Sequence, residues 1–122
     1  MPNTLTWKPN YLFRKFTGDV SGEEILKSNF DLQAHPRFAA IKYIVNDFTD
    51  VSTLLIDAQH TKIYASTDDI ISDTKGKFKI AIVVNQEAHV DLAKSYQDSL
   101  KTNLFDCEIF ETVEDAKKWG EL

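Results

Sequence analysis

Apolar and polar positions alternate between two periods along this chain. Leu5-Thr6-Trp7 runs apolar, polar, apolar, and Lys8-Pro9-Asn10 reads as a turn. The aromatic-rich stretch Tyr11 to Phe16 follows, with Gly18-Asp19 closing it. Together these pieces predict an antiparallel β-hairpin. Ser21 and Glu24 then have capping-box spacing, and Ile25, Leu26, Asn29 and Phe30 share one face of the helix that should follow. His35-Pro36 should end it, because the residue before a proline is pushed out of helical geometry.

Two mostly apolar runs, Ala39 to Val45 and Phe78 to Val84, have the character of parallel strands covered on both faces. Between them Ile56, His60, Ile63, Thr67, Ile70 and Thr74 recur at helical steps, with Asp57 as the expected N-cap and Gly76 as the stop. After Val84, Asn85 is placed to cap a helix with Ala88, Leu92, Ala93, Tyr96 and Leu100 inside. Cys107 to Phe110 predicts a last strand. Thr112 and Asp115 resemble a second capping box, opening a short helix lined by Val113, Ala116 and Trp119. The order is β-β-α-β-α-β-α-β-α. Strands alternating with helices imply right-handed crossovers and helices packed on a mostly parallel sheet. The expectation is an α/β domain with a mixed five-stranded sheet and four helices, with Ile41–Val45 parallel to Ile80–Val84 and Trp119 closing the core.

The 122 residues, 43% of them hydrophobic, suit one domain spanning 1–122. A net charge of -5 disfavours phosphate backbones and anionic lipid as partners, so nucleic acid is not expected. The single cysteine, Cys107, allows no intrachain disulfide and fits a reducing, cytoplasmic setting. Met1 to Lys8 has no apolar signal-peptide core, and the longest purely apolar run, Ile80–Val84, is far too short to span a bilayer.

Catalytic chemistry finds little to stand on. His35, His60 and His89 match no metal-site spacing, and they read as a helix-end, a half-buried packing and a solvated residue respectively. Cys107 lies between Asp106 and Glu108, the wrong charge to stabilise a thiolate. Lys75, Lys77 and Lys79 read as a solvated strand entrance, and Asp68, Asp69 and Asp73 as an outward acidic patch without calcium-loop spacing. Glycine-rich phosphate loops and the G-x-S-x-G elbow are missing, and no cofactor is expected. The segment of most interest is Asn46 to Thr53, expected to leave the C-terminal end of a parallel strand, where α/β sheets gather ligands. Turn and cap residues would have the same composition.

The ordered series Phe16-Thr17-Gly18, His35-Pro36-Arg37-Phe38, Asp47-Phe48-Thr49-Asp50-Val51, Lys79 to Val84, Ile109-Phe110, Ala116 and Trp119 resembles the SpoIIAA-like family. That family is a branch of the STAS-domain superfamily, also likened to CRAL-TRIO lipid carriers. The resemblance runs from about Tyr11 onward and lies in pattern and element order. It implies a STAS-like sheet and no enzymatic activity. In the anti-anti-sigma members a kinase phosphorylates a serine in an Asp-Ser-Ser-Gly segment. The matching neighbourhood here is Asp50-Val51-Ser52-Thr53, with one serine and no glycine. The resemblance therefore implies Ser52 as phosphoacceptor, with Thr53 second and Asp47 and Asp50 beside them. Two function classes follow. One is a non-catalytic regulatory module for a protein partner. The other is a carrier or sensor of a small apolar ligand, which needs a cavity of some hundreds of Å³. A hydrolase working through His60 or His89 is the remaining class.

Overall fold

In the computed structural model, which describes residues 3–121, two strands open the chain as a hairpin: β1 (Asn3–Trp7) and β2 (Tyr11–Ser21). They pair antiparallel, with Trp7 opposite Leu12 across the Lys8-Pro9-Asn10 turn. Helix α1 (Gly22–Ala34) follows, then a short 3-10 segment (Pro36–Ala40). Strand β3 (Tyr43–Leu55), helix α2 (Ala58–Lys75), strand β4 (Phe78–Val83), helix α3 (Glu87–Ser99), strand β5 (Phe105–Phe110) and helix α4 (Val113–Trp119) complete the order. The sheet order is β1-β2-β3-β4-β5, and all pairs after the hairpin are parallel. Tyr43 to Asp47 lies alongside Lys79 to Val83, the pairing expected from the two apolar runs.

Helices α1, α2 and α3 pack into one core on the same face of the sheet, as crossovers of one hand between successive neighbouring strands require. The period-2 alternation of the strands then sorts side chains between two cores. Leu12, Phe16, Ile44, Phe48, Ile80 and Ile82 face the three helices. Tyr43, Val45, Ala81 and Val83 face the opposite way and are covered by α4 through Ala116, Val113 and Trp119. Trp119 closes this second, thinner layer, its ring edge-on to Tyr43 at 5.6 Å.

Several local expectations are corrected. Strand β2 does not end at Gly18-Asp19. It continues to Ser21, with Gly18 at φ 70, a left-handed value that glycine adopts without strain. Strand β3 starts at Tyr43 rather than Ala39, because Pro36–Ala40 forms the 3-10 turn, and it runs on through Asn46–Leu55. Phe30, expected inside, is 51% exposed, while Ser28 and Asn29 are buried.

The face of α2 is rotated from the expected stripe. Ile63 and Ile70 are 49% and 71% exposed, whereas Thr61, Tyr64, Ala65 and Ser72 are buried. Polar residues can occupy the inner face because each finds a partner. Thr61 Oγ1 bonds the Ala58 carbonyl and meets Ser95 Oγ on α3, and Ser72 Oγ donates to the Asp69 carbonyl and meets Thr102 Oγ1 at 2.9 Å. The capping boxes also differ. Ser21 and Thr112 each accept one amide, from Glu24 and Asp115, without the reciprocal bond. The complete box is Asp57 with His60. Helix α3 is capped by Gln86 rather than Asn85 and has no side-chain cap bond.

Candidate functional site

The sequence-derived site residues lie on β3, not on a turn. After Asp47 the strand leaves β4 and pairs only with β2, through Asp50 opposite Thr17, Val51 opposite Gly18 and Thr53 opposite Asp19. The register slips between Gly18 and Asp19, so Ser52 has no partner residue on β2 and forms a bulge. Bulges bend a strand and re-aim the side chains they carry. A second slip, between Lys15 and Thr17, sets Phe48 and Thr49 against Phe16.

The four residues separate into two groups. Asp47 is buried, and its Oδ1 accepts from the Thr49 amide at 2.9 Å and the Thr49 hydroxyl at 2.7 Å. It shapes the strand from inside. Asp50, Ser52 and Thr53 are exposed, with Leu55 beside them at 56%. Asp50 pairs with Lys15 at 2.7 Å across the β2–β3 ladder, and that pairing raises the Lys15 pKa. Gln86 Nε2 donates to the Val51 carbonyl at 3.0 Å and partly covers this edge. The α2 N-terminus begins beyond Leu55, and its first amides are taken by the Asp57 carboxylate. This helix end is thus already capped by its own side chain.

A second arrangement was not read from the sequence. Between the sheet and α1–α3 lies a cavity of about 110 Å³, lined by Ile25, Leu32, Leu54, Ile82 and Ala93 among others. Its polar wall is built around Arg14, which is only 6% exposed. Arg14 Nε donates to Asn46 Oδ1 at 2.9 Å, and Nη1 donates to Ser28 Oγ at 3.0 Å and Asn29 Oδ1 at 2.8 Å. The guanidinium also lies 4.9 Å from the centre of the Phe16 ring. Burial lowers its pKa to about 10, which leaves it charged at neutral pH. Asp68 of α2 also lines the cavity, accepting from Tyr96 Oη at 2.5 Å and Gln33 Nε2 at 3.2 Å. Burial pushes its carboxyl up to about 6, against the opposing effects of Tyr96 and Arg14. Asp68 therefore belongs to the interior rather than to an outward acidic patch. Asp69 instead accepts the Lys101 and Thr102 amides.

The signal for this cluster was present in the alternation. Leu12, Arg14 and Phe16 are two apart on one strand, so they share a face, and Arg14 is the charged member of an inward row.

The other reactive candidates are structural. His60 closes the α2 cap, with Nδ1 3.0 Å from Asp57 Oδ1. His35 Nδ1 accepts the Arg37 amide at 3.1 Å, and its ring stacks on Trp7. His89 is not solvated as expected. It is 5% exposed and lines the cavity, with its Nδ1 unpartnered, and burial lowers its pKa. Burial drives the Cys107 thiol up to about 12, too high for a nucleophile near neutral pH. Lys75 is not a solvated entrance residue. Its Nζ donates to the Phe38 and Ile41 carbonyls at 2.8 and 2.6 Å, and burial lowers its pKa. Among the described residues no helix is long and apolar enough to cross a membrane.

No family model matches this sequence, and no curated protein matches it. Solved structures do. The anti-sigma factor antagonist SpoIIAA in its unphosphorylated form superposes with a TM-score of 0.63 over 98% of this chain and 96% of that one, at 8% identity. An uncharacterised DUF3478-family protein from Shewanella loihica with a SpoIIAA-like fold superposes with a TM-score of 0.56, over 96% and 90% of the two chains, at 20% identity. At these identities the likeness speaks to architecture, and it agrees with the element order, parallel pairing and helix placement above: the chain has the SpoIIAA-like, STAS-type fold.

Proposed function

We propose that this chain is a non-catalytic regulatory module of the cytoplasm that binds a protein partner along the exposed edge of β3. The observation that carries the reading is the extension of β3 past β4, with Ser52 bulged out of register among the exposed Asp50, Thr53 and Leu55. A strand edge with no strand beside it, covered only in part by Gln86, offers its remaining backbone donors and acceptors to a partner, and an exposed leucine adds apolar area. The likeness to an anti-sigma factor antagonist over nearly the whole chain supports the same class. The histidines favour it over hydrolysis, since His60 is held in a helix cap and His89 is buried.

Ser52 is the proposed phosphoacceptor of this edge, with Thr53 second. A phosphate there would add roughly -1.5 to -2 charge beside Asp50. The added charge competes with Asp50 for Lys15 and repels an acidic contact surface, which releases the partner. Affinity capture from cells that make the protein tests this. Ser52→Ala retains the partner that wild type captures, and Ser52→Asp loses most of it. Equal capture by the two variants, with no phosphopeptide spanning Phe48 to Lys62, contradicts the switch.

A carrier of lipid-sized apolar ligands is less well supported. The cavity, at about 110 Å³, is well below the several hundred Å³ such a ligand requires.

A further inference from the structure

Arg14 is the least balanced group in the interior. Its acceptors, Asn46, Ser28 and Asn29, are all neutral. None of the ion pairs among the described residues includes it. Asp68 acts on it through space while its own oxygens are engaged by Tyr96 and Gln33. A guanidinium carries five N–H donors, and its Nη2 takes part in none of the hydrogen bonds among the described residues. Burying a charge without a directly bonded counter-charge is costly. On the same cavity wall His89 Nδ1 is buried and unpartnered. Both groups border the same cavity, whose polar side Asn29, Asn46, Asp68 and Tyr96 share and whose apolar side is walled by Ile25, Leu32, Ile82 and Ala93.

We infer that this cavity binds a short-chain monocarboxylate, with the carboxylate on the Arg14 guanidinium and the alkyl group in the apolar space beneath α1–α3. A carboxylate on Nη2, the guanidinium nitrogen that the protein's own acceptors leave free, supplies the counter-charge, and charge-assisted bonds of this kind are stronger than neutral ones. Volume sets the chain length. About 110 Å³ is well below the ~300 Å³ at which drug-sized ligand pockets begin, which suits a short alkyl chain and not a lipid tail. The inference is independent of partner binding at Ser52, which lies on the exposed edge of β3.

The protein has two arginines, Arg14 inside and Arg37 exposed on the 3-10 segment, so their side-chain Nε–Hε signals form an internal control. Labelled protein is titrated with butyrate, hexanoate, dodecanoate, and the alcohols butanol and hexanol. The expected result is a saturable shift of the Arg14 signal, with Arg37 unmoved, by butyrate and hexanoate. The alcohols should bind roughly tenfold or more weakly, as loss of a charge-assisted contact requires. Dodecanoate should gain nothing over hexanoate, because the cavity is full. Ala93→Leu, which fills the space, should abolish the shift; the wild-type titration decides alone if that variant does not fold. Equal binding of acids and alcohols, an unmoved Arg14 signal, or binding that survives Ala93→Leu would overturn the site. A steady gain of ~0.8 kcal/mol per added methylene out to dodecanoate would instead assign it to a lipid tail.

Discussion

Phe16→Ala is expected to destabilise the protein by about 3–5 kcal/mol, the range for removing a fully buried aromatic ring. Phe16 is 0% exposed and stacks on Phe48 with ring centroids 4.7 Å apart and planes at 10°. It lies opposite the register slip at Phe48 and Thr49 of β3, and its ring packs on Phe48 there. It also lies against the Arg14 guanidinium. Truncation therefore creates a cavity, frees the β3 bulge to move, and removes the aromatic surface beside a buried charge. Urea unfolding followed by tryptophan fluorescence and by circular dichroism measures the loss. A decrease below about 1 kcal/mol would mean that the bulge collapses onto the vacated space and that the ring does not fix the strand, since the cost of such truncations depends on how far a site can close.

Asp68→Asn is expected to act in the opposite direction and to depend on pH. The Asp68 carboxyl is pushed from an ordinary value of 3.8 up to about 6, chiefly by burial. The folded state therefore holds this proton more tightly than the unfolded chain does. Its stabilising contribution is complete below pH 3.8 and is lost as pH rises to about 6; above that, ionised Asp68 is a burden on the fold. A shift of this size corresponds to about 3 kcal/mol, reduced to ~2 kcal/mol because the residue keeps part of its surface open to solvent. Asparagine resembles the neutral form and can still accept from Tyr96. The variant should exceed wild type by ~2 kcal/mol at pH 7, and the difference should close below about pH 4. A gap independent of pH, or a variant weaker than wild type at pH 7, contradicts this electrostatic account of the cluster.

The sequence carried the architecture further than it carried the site. Element order was legible because the apolar runs of β3 and β4 contrast with helical spacing between them, and because Asp57 and Gly76 bracket α2 as punctuation. The face of α2 was not legible. Ile63 and Ile70 are apolar at helical spacing yet point outward, while Thr61, Asp68 and Ser72 point inward to partners contributed by α3 and the loop after it. Counting apolar residues cannot anticipate hydroxyls and carboxyls satisfied by elements some thirty residues away in sequence. The same limit hid the extent of β3. Asn46, Asp47, Thr49 and Asp50 have turn composition, but Asn46 bonds Arg14, Asp47 bonds Thr49 and Asp50 bonds Lys15, so each polar group is accommodated in an extended strand. Ser52 could be singled out from the sequence by the resemblance, but its bulge depends on the spacing of β2 against β3 and emerges only from the ladder.

Partner binding on the free edge of β3 is tested most directly by site-specific photo-crosslinking in cells that make the protein. A photoreactive phenylalanine analogue is placed at Leu55, exposed on the same strand as Ser52, and in a second strain at Lys118, exposed on α4. The account predicts a discrete crosslinked protein from the Leu55 position that weakens with Ser52→Asp, and none from the Lys118 position. No adduct at Leu55, or the same adduct from both positions, would contradict it.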